Sequence, residues 1–240
     1  MSGHSKWANI KNKKTAMDQK RADVFGKLAK IITVAATHGG GDLGANYTLR
    51  TEVEKAKELN MPKDKIEAAI KKGTGEDKSG TQLEELLMEA YGPGNSALLI
   101  QTITDNRNRT ASEVKQILNK NNGKPVGEGG VRWMFQYVGV LKIPKDNVKN
   151  IEEFELRAID AGAQDMKEEE GCVIIYTNIN NLQAMQSILE KEGFQNVDSG
   201  LEWVAKDEIE ISQGDQKKLE ALFEALDEND DVQAIYSNTK

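Results

Sequence analysis

The hydrophobic residues of this chain keep helical spacing up to Gly73 and alternate between strand and helix spacing beyond it, and that division limits the folds open to it. Before it, Val24, Leu28, Ile31 and Ala35 recur at helical intervals with Phe25, Ala29, Ile32 and Ala36 beside them, which predicts a helix over Thr15–Thr37. His38 and Gly39-Gly40-Gly41 end it, since glycine adopts the left-handed conformation that closes a helix. Asn46 is an N-cap residue for a second helix, Tyr47–Leu59, with Leu49, Val53 and Ala56 inward. Met61-Pro62 punctuates, and a third helix over Lys63–Lys72 stops at Gly73. The polar, glycine-rich stretch Gly73–Gly80 then reads as a linker.

Beyond the linker the apolar residues come in short runs bounded by turn residues. Glu84–Tyr91 and Ser96–Thr104 predict two strands joined at Gly92-Pro93-Gly94-Asn95. A helix follows over Ala111–Asn121, with Thr110 as N-cap and Glu113 completing a capping box. Gly123–Gly130 reads as a flexible loop. Val131, Trp133 and Phe135 alternate as a strand, which turns Trp133 inward in preference to the alternative of a base-stacking pair with Arg132, and a turn at Gly139 leads to a strand ending near Ile143. After Pro144 come a helix over Ile151–Ala161, strands over Gln164–Glu169 and Cys172–Thr177, a helix over Leu182–Glu192 and a strand over Asn196–Ala205. A helix over Gln216–Leu226 and a strand over Val232–Tyr236 close the chain. The fold class is therefore α+β: an N-terminal three-helix basic domain followed by two small α/β sandwich-like (ferredoxin-like) domains.

Charge divides the chain at the same place. Residues 1–75 hold 15 Lys/Arg against 8 Asp/Glu, while the remainder holds 17 against 31. One end of the surface attracts polyanions and the other repels them, which favours binding in a fixed orientation. Lys6, Lys13, Lys20 and Lys27 recur every seven residues, one face of a helix. Like charges along one face destabilise a helix mildly, so a partner outside the helix is expected to compensate them. Asp105-Asn106-Arg107-Asn108-Arg109-Thr110 precedes a helix N-terminus, where the backbone itself favours anions. Asn106 and Asn108 have a plain alternative role in satisfying the turn, whereas Arg107 and Arg109 are better explained as ligand contacts.

Catalytic chemistry has few candidates. Two histidines, His4 and His38, do not make a metal cluster, and neither has an evident Ser or Cys partner. No phosphate-binding or dinucleotide glycine motif is present. Glu168-Glu169-Glu170 before Gly171 reads as a solvated hairpin tip. The single cysteine, Cys172, sits in an apolar strand and reads as an inert core thiol. These patterns point away from an enzyme and imply no cofactor, metal or small-molecule substrate. With no apolar segment near ~20 residues and no signal-type leader, a cytoplasmic location without a membrane partner is expected.

The strings Gly3-His4-Ser5-Lys6-Trp7-Ala8-Asn9-Ile10-Lys11, Asn60-Met61-Pro62-Lys63-Asp64, Tyr91-Gly92-Pro93-Gly94 and Thr104-Asp105-Asn106-Arg107-Asn108-Arg109-Thr110 are long and of low degeneracy. Through them the chain resembles the YebC family of bacterial proteins, which includes the mitochondrial translational activator of cytochrome c oxidase. With the family motif starting at residue 3, no transit peptide is expected, which favours a bacterial member. Departures from the family are Asp23, where relatives tend to carry a base, and Lys124-Pro125-Val126, where they have an Asn and an apolar residue.

The resemblance implies that the last helix and strand return to the middle domain. The expected division is then 1–80 for the basic helices with their linker, 81–145 plus 206–240 for the middle domain, and 146–205 for an acidic insertion. It also implies assistance to translation, including proline-containing stretches, with the ribosome as partner; the same family is also labelled transcriptional. Expected nucleic-acid contacts are His4, Lys6, Trp7, Lys11, Lys13, Lys14, Lys20, Arg21, Lys27, Asn106, Arg107, Asn108 and Arg109. Trp7 reads either as a base-stacking side chain or as a hydrophobic staple for the helix that follows. Arg- and Asn-rich loops suit single-stranded or folded RNA, the preferred partner. Duplex DNA is the alternative, although no helix-turn-helix pattern is evident. A protein assembly module acting through the acidic domains is a third reading.

Overall fold

The computed structural model describes residues 19–77, 82–169, 171–194 and 197–240, with residues 19–21 described through their backbone alone. Two compact units form: residues up to Met134 together with Asp207–Lys240, and Phe135–Lys206.

The first unit opens with helices α1 (Gln19–Gly39), α2 (Tyr47–Glu58) and α3 (Lys63–Thr74). Leu28, Ile32, Leu49, Val53, Met61 and Ile66 form their shared core. Asn46 caps α2 by accepting from the Leu49 amide, and its Nδ2 donates to the carbonyls of Ala35 and Gly40, both at 2.8 Å, tying the end of α1 to the start of α2. Gly73 is part of α3 and not the start of a linker. A Cβ there would lie 2.3 Å from the Thr33 carbonyl oxygen, so the glycine is required by a close crossing of α1 and α3. Gly75, at φ +76°, ends the helix. The remainder of the expected linker, from residue 78 to 80, lies outside the described residues.

Strands β1 (Glu84–Tyr91) and β2 (Ala97–Thr104) then pair antiparallel, in the register Glu84 to Thr104 through Tyr91 to Ala97. Helix α4 runs over Arg107–Lys120, and the segment read as a flexible loop contains a three-residue edge strand, β3 (Lys124–Val126), on β1. From the far end of the chain, α7 (Gln213–Asp227) and β8 (Val232–Ser237) complete this sheet, whose order is β3-β1-β2-β8. Leu98, Ile100, Val114, Leu118, Leu222, Phe223 and Ile235 form its core.

The second unit is built from β4 (Phe135–Pro144), α5 (Ile151–Asp160), β5 (Ala163–Glu169), β6 (Cys172–Thr177), α6 (Leu182–Lys191) and β7 (Asp198–Ala205). Its antiparallel sheet has the order β5-β6-β4-β7, a βαββαβ arrangement of ferredoxin type. Two readings of the sequence are corrected here. First, no turn occurs at Gly139: β4 runs straight through it, and a Cβ there would meet Thr177 Cγ2 at 2.9 Å and Leu182 Cβ at 3.1 Å. The glycine marks close packing, and β4 belongs to this sheet and not to the middle one. Second, Trp133 is not core: Arg132–Met134 is a 3-10 turn that leaves the indole 63% exposed. Cys172 is half-buried, and burial pushes its thiol up from the ordinary value. Among the described residues no helix is long and apolar enough to cross a membrane.

Candidate nucleic-acid interface

The described part of the basic N-terminal stretch, α1, and the arginine motif meet within the first unit, where Lys30 and Arg109 share Asp231. Helix α4 starts a turn earlier than the capping-box pattern predicts. Asn106, in extended conformation, accepts from the Arg109 amide at 3.1 Å, and Thr110 lies inside the helix. The buried Thr110 hydroxyl is engaged by Thr104 Oγ1 at 2.7 Å and by Asp231, so it is not free to cap. Arg107 and Asn108 therefore occupy the exposed first turn of α4, while Arg109 folds back over the end of the sheet.

Asp231 is the centre of that end. Its side chain is 6% exposed and accepts from Lys30 Nζ at 2.6 Å, from Arg109 Nη2 at 2.9 Å and from the Thr110 hydroxyl. Its backbone carbonyl accepts from Ile103 at 2.8 Å. Burial pushes the carboxyl pKa up, but the hydrogen bonds from Lys30, Thr110 and Arg109 outweigh it and hold the group at about 2. In return the hydrogen bond and charge of Asp231 raise the Arg109 guanidinium above its ordinary value.

A second lysine of α1 is held the same way. Lys27 Nζ lies 2.5 Å from Asp227 Oδ1 and 2.7 Å from the Asp227 carbonyl oxygen, and the residue is only 9% exposed. Lys30 also reaches the Asp230 carbonyl at 2.9 Å. Lys27 was expected to face a ligand; instead it points into the fold, because the last residue of α7, Asp227, and the acidic turn that follows carry the counter-charges at matching positions. The partner that compensates this part of the basic helix is thus the chain itself. Asp227 and Asp231 were missed as partners in the sequence because they lie 200 and 201 residues from Lys27 and Lys30, and only the opposite signs of the two ends hinted at the pairing.

Around these groups opens a cleft of about 530 Å³, lined among others by Lys30, Lys72, Asp105, Arg109, Glu113 and Asp231. Arg109 spans it, bonding Asp105 at 2.9 Å as well as Asp231. Arg107 has no ion pair among the described residues and stands exposed beside Asn108. His4, Lys6, Trp7, Lys11, Lys13 and Lys14 lie outside the described residues; Lys20 and Arg21 fall in the first turn of α1, described by backbone alone. Among the described residues no group of three His, Cys, Asp or Glu side chains is placed to hold a metal ion.

Residues 5–76 match the family model of the TACO1/YebC protein N-terminal domain, and residues 83–239 match that of the TACO1/YebC second and third domain. The chain belongs to the TACO1/YebC family. Its relatives include a probable transcriptional regulatory protein of Pseudothermotoga lettingae, 46% identical over 238 residues, which span 99% of this chain and 93% of the relative. Another of the same name, from Thermoanaerobacter pseudethanolicus, is 45% identical over 240 residues, or 100% and 97% of the two chains. Both are named for a regulatory role. Among solved structures, a conserved hypothetical protein of Aquifex aeolicus superposes with a TM-score of 0.87 at 38% identity, covering 98% of this chain and 97% of that one. The two family models leave residues 77–82 between them.

Proposed function

We propose that this TACO1/YebC member is a non-enzymatic regulator of gene expression that binds RNA, with the ribosome as its partner and the synthesis of difficult, proline-containing stretches as its task. The observation that supports this reading is where positive charge remains once internal pairs are set aside. Lys27 and Lys30 are each neutralised by an aspartate. The basic excess then lies ahead of them, with six Lys/Arg against two acids over residues 1–26, and on the exposed first turn of α4 at Arg107. The helices available to enter a major groove have little such excess: α2 carries three Lys/Arg against three acids, and α3 four against two. A basic segment together with exposed Arg and Asn at a helix N-terminus suits phosphates and unpaired edges better than a duplex groove. Duplex DNA is the second reading, favoured by the transcriptional name of the relatives.

Co-sedimentation of the purified protein with ribosomes at near-physiological salt, against competing duplex DNA, tests the choice. Retention on ribosomes in the presence of duplex supports the RNA reading, and displacement by duplex with sequence preference overturns it. Charge reversal at Lys13 and Lys20 is the matching variant, since Lys27 is committed inside the fold.

A further inference from the structure

Helix α5 is anchored in the second unit by the buried Phe154 and Ala158, and it carries another apolar pair on its outer side. Leu156 is 66% exposed and Ile159 55%, and a spacing of three residues makes them neighbours on one face. Exposed apolar side chains scattered singly are ordinary on a protein surface, but these are clustered. Ile179, 44% exposed, stands on a 3-10 turn (Ile179–Asn181) that borders the same end of the helix. There the Gly162 amide donates to the Ile159 carbonyl at 2.9 Å, and the Thr177 hydroxyl donates to the Gly162 carbonyl at 3.1 Å. Three of the six large hydrophobic side chains exposed among the described residues thus lie about one helix end. Helix propensity accounts for a leucine there but not for an isoleucine, and packing within the unit accounts for neither.

Charge decides what fits this face. Glu152 and Asp160 stand four residues to either side of Leu156, and Glu155 stands four before Ile159, so all three are neighbours of the pair on the helix surface. They are exposed, and none has an ion pair among the described residues, whereas Glu153 is engaged by Arg157. Asp160 lies in the last turn, where the helix dipole disfavours a carboxylate, so the stability of the helix does not explain it. Nucleic acid and anionic lipid are repelled by such a face. A second copy docked face to face would set each carboxylate against its own equivalent.

We propose that the outer face of α5 docks a basic amphipathic segment of a partner protein, whose apolar side chains cover Leu156, Ile159 and Ile179 while its lysines or arginines meet Glu152, Glu155 and Asp160. The contact does not rest on the RNA reading, which concerns the basic end of the chain, and it gives the second unit a task of its own.

The test uses the full-length protein and a dye-labelled amphipathic helix of leucine and lysine, about five turns long, with binding read by fluorescence anisotropy. Two further peptides, one with serine in place of leucine and one with glutamate in place of lysine, are expected to bind at least about ten-fold more weakly. Leu156→Ser with Ile159→Ser should lower affinity for the leucine–lysine peptide roughly ten- to a hundred-fold. Glu152→Lys with Asp160→Lys should lower it as well and flatten its dependence on salt. Both variants should keep the wild-type urea midpoint, and the serine variant should keep the wild-type affinity for single-stranded RNA. Equal binding of the serine–lysine peptide, or unchanged affinity in the serine variant, overturns the site and leaves the RNA reading standing. A dimer in sedimentation that the same serine substitutions dissociate overturns it too, because the occupant is then a second copy.

Discussion

Glu89 and Asp231 are both buried carboxylates in the same compact unit, and both are held below their ordinary pKa against the cost of burial, yet they are satisfied in opposite ways. Glu89 takes three backbone amides from residues 129–132, all of one turn. Asp231 takes side chains from α1 and α4, which are far apart in the chain. The first arrangement shapes a loop and leaves the elements around it indifferent. The second fastens the helical layer, the candidate arginine helix and the last strand to one another. A buried charge is weak evidence of net stability in either case, but losing its partners is costly in both. What differs is how far the damage spreads.

Removing Asp231 should therefore have the largest effect. Asp231→Ala leaves Lys30 without its carboxylate, and deprives Arg109 and Thr110 of a buried acceptor. A loss of roughly 3–5 kcal/mol is expected, read as a lowered midpoint in urea denaturation. Hydrogen exchange should rise in α1 and α4 together, since both are tied to this residue. Protection that changes in only one of them breaks the comparison.

Acid offers a milder way to the same end. The Asp231 carboxyl lies at about 2 in the fold against an ordinary value of 3.8, so the native state binds fewer protons than the unfolded chain and stability rises with pH through that interval. The contribution, roughly 2 kcal/mol, is complete above about pH 4 and lost as pH falls toward 2. Asp231→Asn should flatten that limb of the stability profile. Glu89 is shifted in the same direction, so the part of the slope that survives in Asp231→Asn includes its share.

Glu89→Gln is the next smaller. An amide keeps one acceptor oxygen but replaces the other with a donor aimed at backbone N–H groups, at a cost of roughly 1–2 kcal/mol. Exchange should rise over residues 127–133 and not in α1. The Trp133 emission should change with it, because the turn that orients the ring is released.

Which parts of this were legible in the sequence follows from how local their causes are. The cap at Asn46 and both ends of β1 are set within a few residues and were read correctly, while the start of β2 was read one residue early and the glycine stop of α1 two residues early. Gly73 and Gly139 were misread as linker and turn because glycine has two uses, and close packing against Thr33 or Thr177 is invisible until the partner is known. Asn106 and Thr110 are both good cap residues; burial against Asp231 decides between them. Trp133 followed an alternation that one 3-10 turn interrupts. The candidate site shares this division: the residue types were visible in the arginine motif, while the commitment of Lys27 and Arg109 to aspartates near the other end of the chain was not.

The smallest change in stability separates the two arginines of that motif. Arg107 and Arg109 stand two residues apart on the first turn of α4, but Arg109 is bound to Asp105 and Asp231, and Arg107 has no ion pair among the described residues. Arg107→Ala should leave the urea midpoint within about 0.5 kcal/mol of wild type, as for a surface substitution without partners. Under the proposed function it should nevertheless weaken RNA binding and lower the slope of log affinity against log salt by about 0.7, the signature of one lost phosphate contact on a single strand. Arg109→Ala should do the reverse, costing stability first and affecting binding only as the Asp231 junction loosens. If Arg107→Ala leaves both affinity and salt slope untouched, the exposed turn of α4 is not part of the interface, and the basic segment ahead of Lys27 must carry the contact without it.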